Sequence, residues 1–194
     1  MSLAIVAFVL AAYLLGAVPF GLVIARRVAQ VDVRSVGSGN IGATNVARAA
    51  GKGVAAVVLL LDALKGFVPA SLAAVWTGES WAAACAGFAA FLGHCFPVYL
   101  RFRGGKGVAT ALGVSLALAP WAALAGAVTY FAVFKGFRLS SLGSLAGALV
   151  ATLVAFLTAA SPAYAWAVVA MVLVIFVRHS GNIRRLLRRE ERKV

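Results

Sequence analysis

Acidic side chains are nearly missing from this sequence. Asp32, Asp62, Glu79, Glu190 and Glu191 are the only five, against 18 Lys and Arg and a net charge of +13. That shortage excludes a hydrolase built on paired carboxylates and a dense acidic metal site, so no metal is expected. Cysteine is equally rare. Cys85 and Cys95 share one apolar segment, lack metal-ligand spacing, and read as small core residues. No basic region precedes the first apolar run: "MSLAIVAFVL" has no ionisable side chain, and Arg26 and Arg27 come only after the run. A cleaved signal peptide is therefore not expected, and residues 3–25 read as a retained span with its N-terminus outside. Basic–aromatic surface patterning is also absent, so the positive charge points to no nucleic-acid partner.

What the chain has in excess is apolar surface. It is 63% hydrophobic and 12% charged, with a mean hydropathy of +1.01. A soluble domain of this length cannot hide that much, and the long apolar runs read as membrane helices. They cover 3–25, 54–76, 81–100, 108–134, 139–160 and 163–177. Residues 26–53, "RFRGGKG" (101–107), "KGFR" (135–138) and the tail from Arg178 are basic, whereas "TGES" (77–80) and "ASP" (160–162) carry no Lys or Arg. Basic loops stay in the cytoplasm. A single crossing by 108–134 would export Lys135, Arg138 and the basic tail. Two short crossings with a turn near Ala119–Pro120 restore parity, each barely long enough at about 1.5 Å per residue. The expectation is one polytopic membrane domain over 1–194. It is all-α, with seven transmembrane helical segments, N-out and C-in, some short or re-entrant, and no internal repeat.

In that topology every unusual polar cluster reaches the cytoplasmic face. "SVGSGNIGATNVAR" (35–48) is rich in glycine, which leaves successive backbone N–H groups uncovered as a concave anion site. Thr44 or Asn45 is expected to cap a short helix running to Arg48. In "RFRGGKG", Lys106 is framed by Gly104, Gly105 and Gly107, a setting that suits a phosphate. In "RHSGNIRRL", His179, Asn182 and Arg185 recur every third residue and share a helix face. Ser140, Ser141 and Ser144 open another span. Asp62 and Lys65, one turn apart inside a span, read as a structural pair, and His94 as an interhelical histidine. Phosphate binding at the membrane surface is the chemistry these residues favour. An anion or phosphate transporter is the alternative, but its polar groups would line a path to both faces. A lipid-phosphate transferase of the CDP-alcohol kind lacks its spaced aspartates here. An H-x-x-x-x-D acyltransferase pair is also absent, because Tyr99 and Arg184 stand five residues after the two histidines.

Together these blocks resemble the bacterial acyl-phosphate:glycerol-3-phosphate acyltransferases, the PlsY family. The likeness runs from "GAVPFG" (16–21) to the tail through "SVGSGNIGATNVAR", "DALKG", "GHCFPVYLRFRGGKGVAT", "SLGS" and "RHSGNIRRL". The resemblance implies transfer of an acyl group from acyl phosphate to the sn-1 hydroxyl of glycerol 3-phosphate, giving lysophosphatidic acid and phosphate. This is the first acylation of phospholipid synthesis. It implies a monomer without a cofactor in the bacterial inner membrane, with its site facing the cytoplasm. Lys106, His179 and Asn182 are the residues expected at the reacting groups. Ser35, Gly37, Ser38, Gly39, Asn40, Thr44, Asn45, Arg48, Gly104, Gly105, Ser141 and Ser144 are expected to hold substrate and phosphate. Two positions depart from the family pattern. Gly143 replaces a common serine, and Arg189 stands where a glycine often precedes the acidic residue, read as Glu190; the second departure weakens a role for Glu190.

Overall fold

The computed structural model describes residues 2–193, and every regular element among them is helical. Ten α-helices follow in order: α1 Leu3–Gly16, α2 Phe20–Ala29, α3 Ala43–Ala50, α4 Lys52–Thr77, α5 Ser80–Cys95, α6 Val108–Leu118, α7 Pro120–Phe137, α8 Ser140–Thr158, α9 Pro162–Arg178 and α10 Ser180–Leu187. Single 3₁₀ turns lie at Val33–Ser35 and Val98–Leu100.

The first apolar run, expected as one span over 3–25, is long and apolar enough for one but is interrupted within it. α1 ends at Gly16 and α2 starts after Pro19, which has no N–H to donate. The carbonyl of Val18, freed by this break, accepts a hydrogen bond from Lys65 Nζ at 2.9 Å. Lys65 in turn is 2.8 Å from Asp62 Oδ1, with both side chains 2% exposed. The pair thus ties α4 to the break in the first run. α1 also packs tightly on α5, because Gly16 lies against the Ala90 carbonyl with no room for a Cβ.

α6 and α7 meet at Ala119–Pro120, where the charge argument put a turn. α6 has 11 residues, about 16 Å of helix, half of a bilayer core of about 30 Å. Four segments are long and apolar enough to cross a membrane: Leu3–Ala29, Lys52–Thr77, Ser80–Leu100 and Ser140–Thr158. A fifth joins them if α9 and α10, bent by 60° at their junction, count as one. The short α6 and the bent α9–α10 junction match the expectation that some segments are short or re-entrant, while four to five helices, not seven, are long and apolar enough to cross by themselves.

The core is built mostly of alanine, so the helices approach closely around Phe91, Val114 and Met171. A second cluster, with Leu22, Val33, Ile41, Val46 and Val58, lies under the 33–42 loop and gives it a packed floor. Large apolar side chains such as Leu10, Leu72, Phe131, Leu153 and Leu173 face outward, as a lipid-facing surface requires. All four tryptophans are exposed near helix ends: Trp76 closes α4, and Trp81, Trp121 and Trp166 open α5, α7 and α9. No Lys or Arg flanks those ends. Tryptophan is the side chain enriched at membrane–water interfaces.

Candidate active site

The 33–42 loop is shaped from within by one side chain. Asn45, 1% exposed, donates from Nδ2 to the carbonyls of Val33, Val36 and Asn40 at 2.7–3.0 Å. Its Oδ1 accepts from the Ser38 N–H at 3.0 Å. Asn40 closes a smaller turn by accepting from the Gly42 N–H at 2.8 Å. Gly37 has φ +60° and lies so close to Asn45 Oδ1 that a Cβ would overlap it. Neither Thr44 nor Asn45 caps α3. Gly42 holds the N-cap position without a side-chain bond, and both residues fall inside the first turn. The helix itself forms as expected and carries Arg48.

The glycine loop of Lys106 lies against this end of the molecule. Lys106 Nζ donates to Asn182 Oδ1 at 2.6 Å. Asn182 Nδ2 donates to Glu191 Oε1 at 2.6 Å. Glu191 also accepts from Ser141 Oγ at 2.9 Å and from Arg185 Nε at 2.7 Å. A carboxylate from the tail thereby joins α8, α10 and the lysine loop. Thr44 Oγ1 and Tyr130 OH each meet Ser140 Oγ at 3.1 Å, which adds α3 and α7. His179 does not continue one straight helical face with Asn182. It sits at the bend between α9 and α10, with Nδ1 2.8 Å from the Ile175 carbonyl. A neutral imidazole donating there keeps Nε2 as an acceptor.

These groups frame one cavity of about 540 Å³. Gly37, Ser38, Asn40, Thr44, Asn45, Arg48, Lys106, Ser141, Ser144, His179 and Asn182 all reach its lining. Ser35, Gly39, Gly104 and Gly105 do not; Ser35 Oγ donates to the Asp32 carbonyl at 2.8 Å instead. Away from the polar mouth the walls become apolar, with Leu112 from α6, Ala127 and Phe131 from α7, Ala148 and Ala151 from α8, and Val168, Met171 and Val172 from α9. Among the described residues no cluster of three His, Cys, Asp or Glu side chains could hold a metal.

Burial lowers the Lys106 ammonium to about 8; Arg185, Arg48 and Arg178 push the same way, and Glu191 opposes them. Burial also lowers His179, to about 4, with the Lys106 charge adding to the shift. Burial alone would raise Glu191, but hydrogen bonds from Asn182, Arg185 and Ser141 outweigh it and hold the carboxyl below its ordinary range. The result is a cationic mouth with one internal anion, Glu191.

The sequence reading missed Glu191, following Glu190 at the acidic position; Glu190 is exposed and Glu191 is the one inserted. A pair of acids in an otherwise basic tail, beside a helix carrying Asn182 and Arg185, was the available signal. Arg192, which reads as a topological charge in sequence, also reaches the cavity lining.

Fold and site define an integral membrane protein whose cationic, hydroxyl-bearing mouth opens into an apolar cleft between helices. The chain belongs to the glycerol-3-phosphate acyltransferase family, whose model matches residues 6–189. It is 54% identical to a glycerol-3-phosphate acyltransferase of Anaeromyxobacter dehalogenans strain 2CP-1, covering 96% of this chain and 95% of that protein. With the same enzyme of Myxococcus xanthus DK1622 it shares 52%, covering 96% of this chain and 98% of the relative. The crystal structure of PlsY (YgiH), an integral membrane glycerol 3-phosphate acyltransferase, in its glycerol 3-phosphate form superposes with a TM-score of 0.94 at 42% identity, covering 98% and 96% of the two chains. Its lysophosphatidic acid form gives 0.92 at 41% identity, covering 98% and 95%.

Proposed function

We propose that this chain transfers an acyl group from an acyl phosphate to the sn-1 hydroxyl of glycerol 3-phosphate, giving lysophosphatidic acid and inorganic phosphate. The observation that carries this reading is one continuous cavity, cationic and hydroxyl-lined at one end and apolar at the other. A donor that is half phosphate and half hydrocarbon matches both ends at once.

The glycerol hydroxyl oxygen attacks the acyl carbonyl, an ester C–O bond forms, the acyl C–O bond to phosphate breaks, and phosphate leaves. Lys106 and Arg48 hold phosphate charge; the expected row of uncovered N–H groups does not form, because Val36, Ser38 and Gly39 donate to Val33 O, Asn45 Oδ1 and Val36 O. His179, lowered to about 4 by burial, is a weak base near neutral pH. It accepts a hydrogen bond and positions glycerol 3-phosphate together with Asn182. The proton of the attacking hydroxyl passes to an oxygen of the donor's own phosphate. In this reading no metal or cofactor takes part, and a chelator leaves the rate unchanged.

The reading places the molecule in a bacterial cytoplasmic membrane as a monomer of one domain, with seven helical segments, N-out and C-in, and the cavity mouth toward the cytoplasm. Support comes from the basic residues at the cavity end and from the helix ends that carry exposed tryptophans and no Lys or Arg. The direct test is purified protein with acyl phosphate and glycerol 3-phosphate. Lysophosphatidate and phosphate are expected in equal amounts, and failure to form lysophosphatidate overturns the reading.

A further inference from the structure

Lys106 sits in a loop of glycines, which have no side chains with which to anchor themselves. Burial among cations also works against its charge, so something outside the loop must keep it in place. Two contacts do so. The Gly105 N–H donates to the His94 carbonyl at 3.1 Å. On the other side, the Arg178 guanidinium grips two successive carbonyls: Nη2 donates to Gly104 O at 2.6 Å, and Nε to Gly105 O at 3.0 Å. The guanidinium also lies over the Phe96 ring, 5.3 Å from its centroid. Gly105 is pressed so closely on the His94 ring that a Cβ there would overlap it.

We infer that Arg178 is the positioning residue for Lys106, fixing the loop's main chain from the last turn of α9. In sequence Arg178 reads as one more basic residue ending a span. In the structure it is one position before His179 and four before Asn182, whose Oδ1 accepts from Lys106 Nζ at 2.6 Å. The same α9–α10 junction therefore holds the lysine at both ends, the backbone through Arg178 and the ammonium through Asn182. The contact has an electrostatic consequence as well. Carbonyl oxygens left facing the mouth would repel a phosphate. Turning the Gly105 carbonyl toward Arg178 turns the Lys106 N–H of the same trans peptide the opposite way. Only a planar fork can hold two carbonyls and stack on a ring together; a lysine ammonium is a point donor on a flexible stem.

This inference rests on Lys106 acting on the substrate's phosphate, and a double-mutant cycle separates the two claims. Arg178→Lys and Lys106→Ala are made singly and together, and kcat, KM and thermal unfolding are measured with acyl phosphate and glycerol 3-phosphate. Arg178→Lys alone is expected to lower kcat/KM about ten- to thirtyfold, the scale of one charged hydrogen bond, with Tm little changed. In the Lys106→Ala background the same exchange is expected to cost no more than about twofold, because a misplaced lysine no longer matters. Equal fold losses in both backgrounds, or a loss matched by collapse of Tm, would overturn the positioning role and leave Lys106 standing. A Lys106→Ala protein as active as the parent would overturn the role of Lys106, and the inference with it.

Discussion

At the scale of single residues, the site consists of cations held where water is scarce. Removing a hydrogen bond to a charged group costs roughly 1.5–3 kcal/mol, about ten- to a hundredfold in kcat/KM. Lys106→Ala and Arg48→Ala are expected to lose activity on that scale while still inserting in the membrane. Arg26→Ala is expected to be nearly silent, since Arg26 pairs only with Asp32 on an exposed surface. Equal losses at all three positions in the kinetic assay would reduce the site to general surface charge. The pH dependence follows from Lys106. Burial lowers it to about 8, and the charged form binds phosphate, so kcat/KM should be full below that value and fall as pH rises through it. Bound phosphate favours the charged form, so the corresponding fall in kcat should lie at higher pH. In Lys106→Arg the guanidinium stays charged, and whatever activity remains should show no such fall.

At the scale of elements, the broken helices need partners for their freed backbone groups. The Asp62–Lys65 pair provides one at Val18. Asp62→Asn leaves a buried ammonium without its counter-charge, a change that costs about 3–5 kcal/mol. A large drop in Tm is expected in detergent or nanodiscs, and the double exchange Asp62→Leu with Lys65→Met should recover much of it. A double variant as unstable as the single would argue against the ion pair as the cause. The α6–α7 break sets a second test, of sidedness. Ala119 is buried and would not react even if it faced outward, whereas Trp121 is 64% exposed. In a background lacking Cys85 and Cys95, Trp121→Cys should react with an impermeant thiol reagent in intact cells. Phe137→Cys, at the far end of α7, should react only after the membrane is opened. The reverse pattern would invert the proposed topology.

At the scale of the whole molecule, a charged mouth and an apolar cleft form one continuous space. In the proposed reaction the donor's head and tail are recognised together, with the donor's phosphate next to the carbonyl under attack. If that phosphate accepts the hydroxyl's proton, a thioester donor lacks a needed part. Acyl-CoA or acyl carrier protein thioester, offered with glycerol 3-phosphate and free of any acyl-phosphate-forming enzyme, should give no turnover even at saturation. Efficient turnover that vanishes in His179→Gln would make His179 the base and defeat the substrate-assisted route.

The sequence by itself determined a helical membrane protein, a turn at Ala119–Pro120, and polar clusters around Arg48, Lys106 and Asn182. Hydropathy, charge placement and the backbone chemistry of glycine and proline are local properties, legible along one dimension. Only the tertiary structure decided which local features meet. It spread Asn45 across three carbonyls as the frame of its loop, broke the first run at Pro19 and satisfied it from Lys65, and bent the last helix at His179. It also chose Glu191 over Glu190 and placed Arg178 on the glycine loop. Each of these depends on hydrogen-bond geometry at about 3 Å between groups that packing brings together. Lys106 and Asn182 are 76 positions apart in the chain yet 2.6 Å apart in space; no periodicity in the sequence encodes that distance.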